Sequence, residues 1–130
     1  MQKEVVQSSE TPKPQSSYSQ SILASAQRWL FISGQVPVNA EGKLVGKADI
    51  EVQTRQVFRN LQAQLKAAGA TFDQVVKLTF FLRNISDYKT VARVREEFLK
   101  PDYPAATLVE ISHLVNPEWL IEVEAIAGLD

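Results

Sequence analysis

The chain has 130 residues, 45% apolar and 22% charged, the proportions of one soluble domain long enough for a real core. A net charge of −1 supplies no general field for nucleic acid or an anionic membrane. The absence of cysteine excludes disulfides, a thiol nucleophile and a cysteine metal site, and a single histidine, His113, excludes a His-rich metal centre.

No stretch approaches a transmembrane run. The N-terminus carries no apolar core of a secretory signal, which predicts a cytoplasmic protein. Residues 1–17 read as a polar arm in which Pro12 and Pro14 permit only a loop or an edge segment. Residues 18–130 read as the domain proper. Residues 18–25 and 29–33 read as strands around a Gln27-Arg28 turn. Ser33-Gly34-Gln35 interrupts the second strand, and a glycine there predicts a bulge or a group pressed against the backbone. Asn39-Ala40-Glu41-Gly42 is a turn.

Asp49 is placed to cap a helix. Ile50, Thr54, Val57, Phe58, Leu61, Leu65 and Ala68 recur at helical spacing, and Gly69 stands where a C′ glycine belongs. Gln53, Arg55, Arg59, Gln62 and Lys66 form its expected wet side. Glu51 and the glutamines dilute those cations, so the face reads as solvated rather than nucleic-acid binding.

Residues 74–83 read as a strand with two apolar faces: Val76, Leu78, Phe80 and Leu82 on one, Val75, Thr79 and Phe81 on the other. Two helices can cover only one face, so the second predicts contact with another subunit. Ser86 or Asp87 then caps a helix running to Leu99, with Tyr88, Val91, Val94 or Arg95, and Phe98 inward. Pro101 and Pro104 follow its end. Residues 105–112 form a strand, and His113 opens a surface connection. Residues 120–130 alternate: Ile121, Val123, Ala125 and Ala127 on one side, Glu122, Glu124 and Ile126 on the other, with Gly128 as the stop. Ile126 beside two glutamates predicts that the acidic side is also covered.

The order fits a mixed sheet with both helices on one face. No Walker loop, GxGxxG, HExxH or GxSxG occurs, and the lone histidine lacks the context of a hydrolase triad.

Tyr18-Ser19-Gln20, the run from Ile32 to Val38 (ISGQVPV), Ala67-Ala68-Gly69, Tyr103-Pro104-Ala105 and the run from Ile121 to Ala127 (IEVEAIA), in this order, resemble the RidA/YjgF family, also labelled endoribonuclease L-PSP or translation inhibitor. The resemblance covers about residues 5–130. It implies an α+β, chorismate-mutase-like fold: a mixed six-stranded sheet with two helices on one face. It also implies a homotrimer with small-molecule clefts between subunits. Well-known members hydrolyse reactive enamine and imine intermediates without metal or cofactor.

Carried over by residue, the resemblance makes Glu122 the catalytic carboxylate and places Tyr18, Ser33 and Gly34 in the cleft. The arginine that follows Pro-Ala in deaminating members falls on Ala106, followed by Thr107 and Leu108. A helix asparagine of those members falls on Ala92. Arginine grips a carboxylate through two parallel charge-assisted bonds. Without it, an imine made from an amino acid loses its handle. The leading expectation is therefore a trimer with a small-molecule cleft that lacks standard 2-imino acid deaminase activity. If the Ala106 and Glu122 strands are neighbours, the cleft keeps a negative charge and favours neutral or cationic ligands lying on Leu108 and Tyr18. A deaminase clamped from Arg28 or Lys43, and a structural or regulatory trimer, are the alternatives. An RNA-cleaving or RNA-binding protein is a further one, which lacks a basic-aromatic platform and a paired acid and base.

Overall fold

The computed structural model describes residues 1–130. The elements are β1 (Gln2–Val6), β2 (Ser21–Ser25), β3 (Arg28–Gln35), α1 (Ile50–Ala67), β4 (Val75–Leu82), α2 (Tyr88–Arg95), β5 (Ala105–Glu110) and β6 (Ile121–Leu129). The main sheet has the order β3-β6-β4-β5, with β4 parallel to β5 and antiparallel to β6. β1 and β2 form an antiparallel pair of their own. The six strands are thus hydrogen-bonded as four plus two, joined by one parallel bridge between Ser19 and Ala105. The pair is separate because it crosses the end of the sheet. Ser19 N donates to Pro104 O beside β5, Lys3 Nζ reaches Val75 O at the start of β4, and the Met1 amino group meets the Asp130 carboxylate beyond β6.

Asp49 caps α1 by accepting from Val52 N at 3.1 Å. The helix ends in paired bonds, Gly69 N to Lys66 O and Ala70 N to Leu65 O, with Gly69 at φ +78, where a side chain would be strained. Its buried stripe is Thr54, Val57, Phe58, Leu61 and Leu65, together with Gln53. Gln53 corrects the expected wet side: it is fully buried. Its amide donates to Gly46 O and Glu118 O and accepts from Leu120 N, so one buried side chain satisfies three main-chain groups of the loops.

α2 is shorter than its pattern. It ends at Arg95, and tighter bonds such as Phe98 N to Arg95 O carry the chain to Leu99. It covers the core from Val91 onward, so Tyr88, expected inward, is exposed. Phe58 lies at the centre of the core, with ring centroids 5.8 Å from Phe72, 6.1 Å from Phe80 and 5.3 Å from Phe98. Full burial of such a side chain is worth about 1.5–3 kcal/mol.

The alternation of β6 places Ile121, Val123, Ala125 and Ala127 in the core. The strand does not stop at Gly128, which pairs with Trp29 and continues to Leu129. In β4 the assignment of one residue is reversed. The pairing with β6 shifts between Val75 and Lys77, and this irregularity turns Val75 fully into the core while leaving Val76 partly exposed. The helix-free face therefore carries Lys77, Thr79 and Phe81 from β4, beside Trp29, Phe31, Ile126 and Val109. Phe31 is 73% exposed in the single chain, so this face has an apolar surface with nothing over it.

Candidate functional site

Glu122 lies on the helix-free face, opposite Phe81 of β4 and beside the irregular end of β3. The β3–β6 register shifts between Ile32 and Gln35, across Ser33 and Gly34. The Glu122 side chain fills the space this opens. A Cβ built on Gly34 would lie 2.6 Å from the Glu122 carboxyl carbon and 2.8 Å from its Cγ, closer than side-chain atoms approach. The glycine thus serves both purposes its sequence position predicts, a bulge and a close approach.

The Glu122 carboxyl is pushed above the usual carboxylate range, first by burial and second by Glu124 two residues along the same face. A carboxyl that keeps its proton longer is also a stronger base once ionised. Ser33 is exposed beside it.

A second group gathers at the start of β5. Tyr18, half-buried, is held in place by its neighbours: Ser19 N donates to Pro104 O at 3.0 Å, and Ser19 Oγ donates to Tyr103 O at 2.6 Å. Ala106 and Leu108 pair with Leu78 and Phe80 and pack against the core. Thr107, between them, faces the helix-free side and accepts from Lys77 Nζ at 2.7 Å.

Within one chain these groups do not meet. β4 separates β5 from β6, so the strands of Ala106 and Glu122 are not neighbours. Ala106 is level with Leu78 and Glu122 with Phe81, on opposite sides of the sheet. Glu110, at the end of β5, accepts from Ile85 N. Of the alternative clamps, Arg28 is occupied by the Asp130 carbonyl at the far end of β3, and Lys43 is exposed in a turn. His113 is exposed, and no three acidic or histidine side chains gather as a metal site requires. No helix is long and apolar enough to cross a membrane.

One residue near the Tyr18 group was visible in sequence only as an inward-phased position. Arg95 of α2 is 3% exposed, with its guanidinium 5.3 Å from the centroid of the Phe80 ring. Its Nε donates to Ser17 Oγ and one terminal nitrogen to Ser16 Oγ.

Residues 8–129 match the family described as Endoribonuclease L-PSP. A RutC family protein of Pyrococcus horikoshii is 41% identical over 125 residues, covering 96% of this chain and 97% of its own. Reactive Intermediate Deaminase A, chloroplastic, of Arabidopsis thaliana is 36% identical over 99% of this chain and 67% of its own. Among solved structures, the Rid-family protein YyfB of Yersinia pestis superposes with a TM-score of 0.89 at 36% identity, covering 99% of this chain and 100% of its own.

Proposed function

The chain belongs to the endoribonuclease L-PSP family, the RidA/YjgF proteins, and from that premise we propose that it works as a homotrimer with a small-molecule cleft between subunits. The observation that carries this reading is the Glu122 carboxyl seated over Gly34 beside an uncovered apolar face. Burying Phe31 and Phe81 against another copy removes that surface from water. It also offers a way to bring Glu122 of one subunit towards Tyr18 and residues 106–108 of the next, which one chain keeps apart.

The chemistry suited to such a cleft is hydrolysis at a C=N bond. Water adds to the imine carbon as Glu122 takes its proton, Glu122 returns that proton to the nitrogen, and the carbinol hydroxyl gives up its own proton to the departing nitrogen as the C–N bond breaks, leaving a carbonyl compound and ammonia. Holding the substrate beside a placed water supplies much of the rate. At position 106 this chain offers a methyl group where the family resemblance implies an arginine in deaminating members. We therefore expect little turnover of 2-imino acids of the aminoacrylate type. Light scattering tests the assembly, and ammonia release from an imine generated by a coupled amino-acid oxidase tests the chemistry. A monomer at micromolar concentration would remove the cleft from this reading. Turnover equal to that of an arginine-bearing relative would overturn the claim about position 106.

A further inference from the structure

Arg95 is a charged group enclosed by the fold with no salt-bridge partner, although the neighbouring Glu96 carboxylate acts on its charge from a distance. The chain's ion pairs join Met1 to Asp130, Lys47 to Glu118, Arg55 to Glu97 and Arg93 to Glu51, and none includes Arg95. Its partners are two serine hydroxyls and the face of Phe80. Neutral acceptors and a ring face compensate a buried cation less well than a carboxylate does. Burial presses its pKa down accordingly, the direction expected of a cation short of negative charge.

The guanidinium is also incompletely used. Nε and one terminal nitrogen are committed to Ser17 and Ser16. The other terminal nitrogen has no protein acceptor, and since no fully enclosed side-chain nitrogen in the chain lacks a partner, it keeps a small contact with solvent. Tyr18 directly follows the Ser17 that holds Nε, and the side chains of Tyr88, Glu96, Tyr103 and Tyr18 are all close enough to act on the charge of the guanidinium. Ala106 and Leu108 border the same region, because Leu108 pairs with the Phe80 over which the guanidinium lies. Ala92, one helical turn before Arg95, is small and buried and adds no bulk there.

We propose that Arg95 is the anion-binding residue of this protein: held from behind by Ser16 and Ser17, it offers its free terminal nitrogen to the carboxylate of a small organic acid lying against Tyr18. The proposal deepens the cleft reading by naming the charge at one end of the ligand, and it replaces the expectation of a neutral or cationic ligand, which rested on position 106 alone. The grip differs from that of an arginine on the strand. It comes from a helix, and two of its nitrogens are already taken, so the carboxylate is held end-on. A carboxylate held this way stands differently towards Glu122 than one gripped from position 106. Anion binding and 2-imino acid turnover are therefore separate properties.

The test uses the full chain and a thermal-shift titration with propionate, chloride and propionamide at constant ionic strength. A ligand that binds the folded state raises the midpoint with concentration. Propionate should raise it, while propionamide, with the same shape and no charge, should not. Stabilisation by chloride to the same extent would show an unspecific small-anion site and overturn the carboxylate assignment. Arg95→Met should abolish the propionate response. Arg95→Lys, a cation without the planar fork, should weaken it about tenfold or more. Ser17→Ala keeps the arginine and should weaken the response, which keeps the test open should Arg95→Met fail to fold. No response in the wild type, or an undiminished one in Arg95→Met, would assign Arg95 only to tethering residues 16–19. Light scattering on the same samples separates this outcome from failure of the trimer reading, since propionate binding is measured whether the mass is that of one chain or three.

Discussion

The Glu122 carboxylate occupies the volume that a side chain at position 34 would need, so Gly34 and Glu122 form one unit although 88 residues separate them in the sequence. The main-chain irregularity of β3 opens the space, and the alternation of β6 aims the glutamate into it. Gly34→Ala should therefore act through Glu122. The obstructing atoms are the far end of a flexible side chain, so the carboxylate can swing aside and the fold should survive with a loss of about 1 kcal/mol, an ordinary figure for a single substitution. Chemical denaturation checks the stability, and carbon NMR of the carboxyl checks the displacement. A Gly34→Ala variant in which the Glu122 resonance titrates as in the wild type would contradict the contact.

The raised pKa of Glu122 fixes the sign of a pH effect. Its folded value lies above its unfolded one, because burial and Glu124 both disfavour the charged form. Such a group contributes stability that is fully present below the unfolded pKa and is lost as pH rises through the folded pKa. Glu122→Gln removes this loss. The variant should gain on the wild type across that window and hold a constant difference above it. Denaturation midpoints measured from acid to neutral pH test this, and a difference that runs the other way would mean the carboxylate finds a donor in the assembled protein.

Gln53 supports the same strand from behind. Its amide holds Gly46 O at 3.1 Å, Glu118 O at 3.0 Å and Leu120 N at 2.8 Å, and Leu120 directly precedes β6. Gln53→Ala takes the partner from those partly buried groups and should cost about 1–3 kcal/mol, the range for a group left unsatisfied on burial. Amide exchange at Leu120 should accelerate with it. A loss below about 0.5 kcal/mol would show that water replaces the amide at little cost.

The strands of the main sheet and α1 were legible because burial on one face imposes a period, whereas β1, exposed along most of its length, lay in what read as a polar arm. The apolar side of β6 and the stripe from Thr54 to Leu65 stand where that period puts them. What escaped does not follow a period. Strand order is set by packing between distant segments, so nothing in the sequences of β5 and β6 reveals that β4 lies between them. Val75 and Val76 exchange sides at an irregularity between two similar residues, with no glycine to mark it. Gln53 looks solvent-facing by residue type and Arg95 was only one of two inward candidates; their partners, 65 and 78 residues away in the chain, decide both. In the candidate site, the close approach at Gly34 was legible from the glycine that interrupts the strand. The charge supplied by Arg95 was not, because the serines that hold it lie in a segment whose composition reads only as a polar arm.

The exchange at Val75 separates two kinds of damage that a uniform strand would confuse. Phe81 is half-buried on the helix-free face beside Glu122 and Val109, whereas Val75 is fully enclosed in the core. Phe81→Asp should leave the single chain folded, because the new carboxylate can reach water there. It should disrupt the assembly, where an unpaired charge taken into an interface costs several kcal/mol. Val75→Asp buries the same charge inside the domain, at a cost comparable with the roughly 5–15 kcal/mol that holds a domain of this size together. Circular dichroism and light scattering together distinguish the cases: a folded particle of one-third the mass for Phe81→Asp, and an unfolded or aggregated chain for Val75→Asp. A Phe81→Asp protein that keeps the wild-type mass would place any subunit contact elsewhere, and would remove the proposed route for bringing Glu122 of one chain to Tyr18 of another.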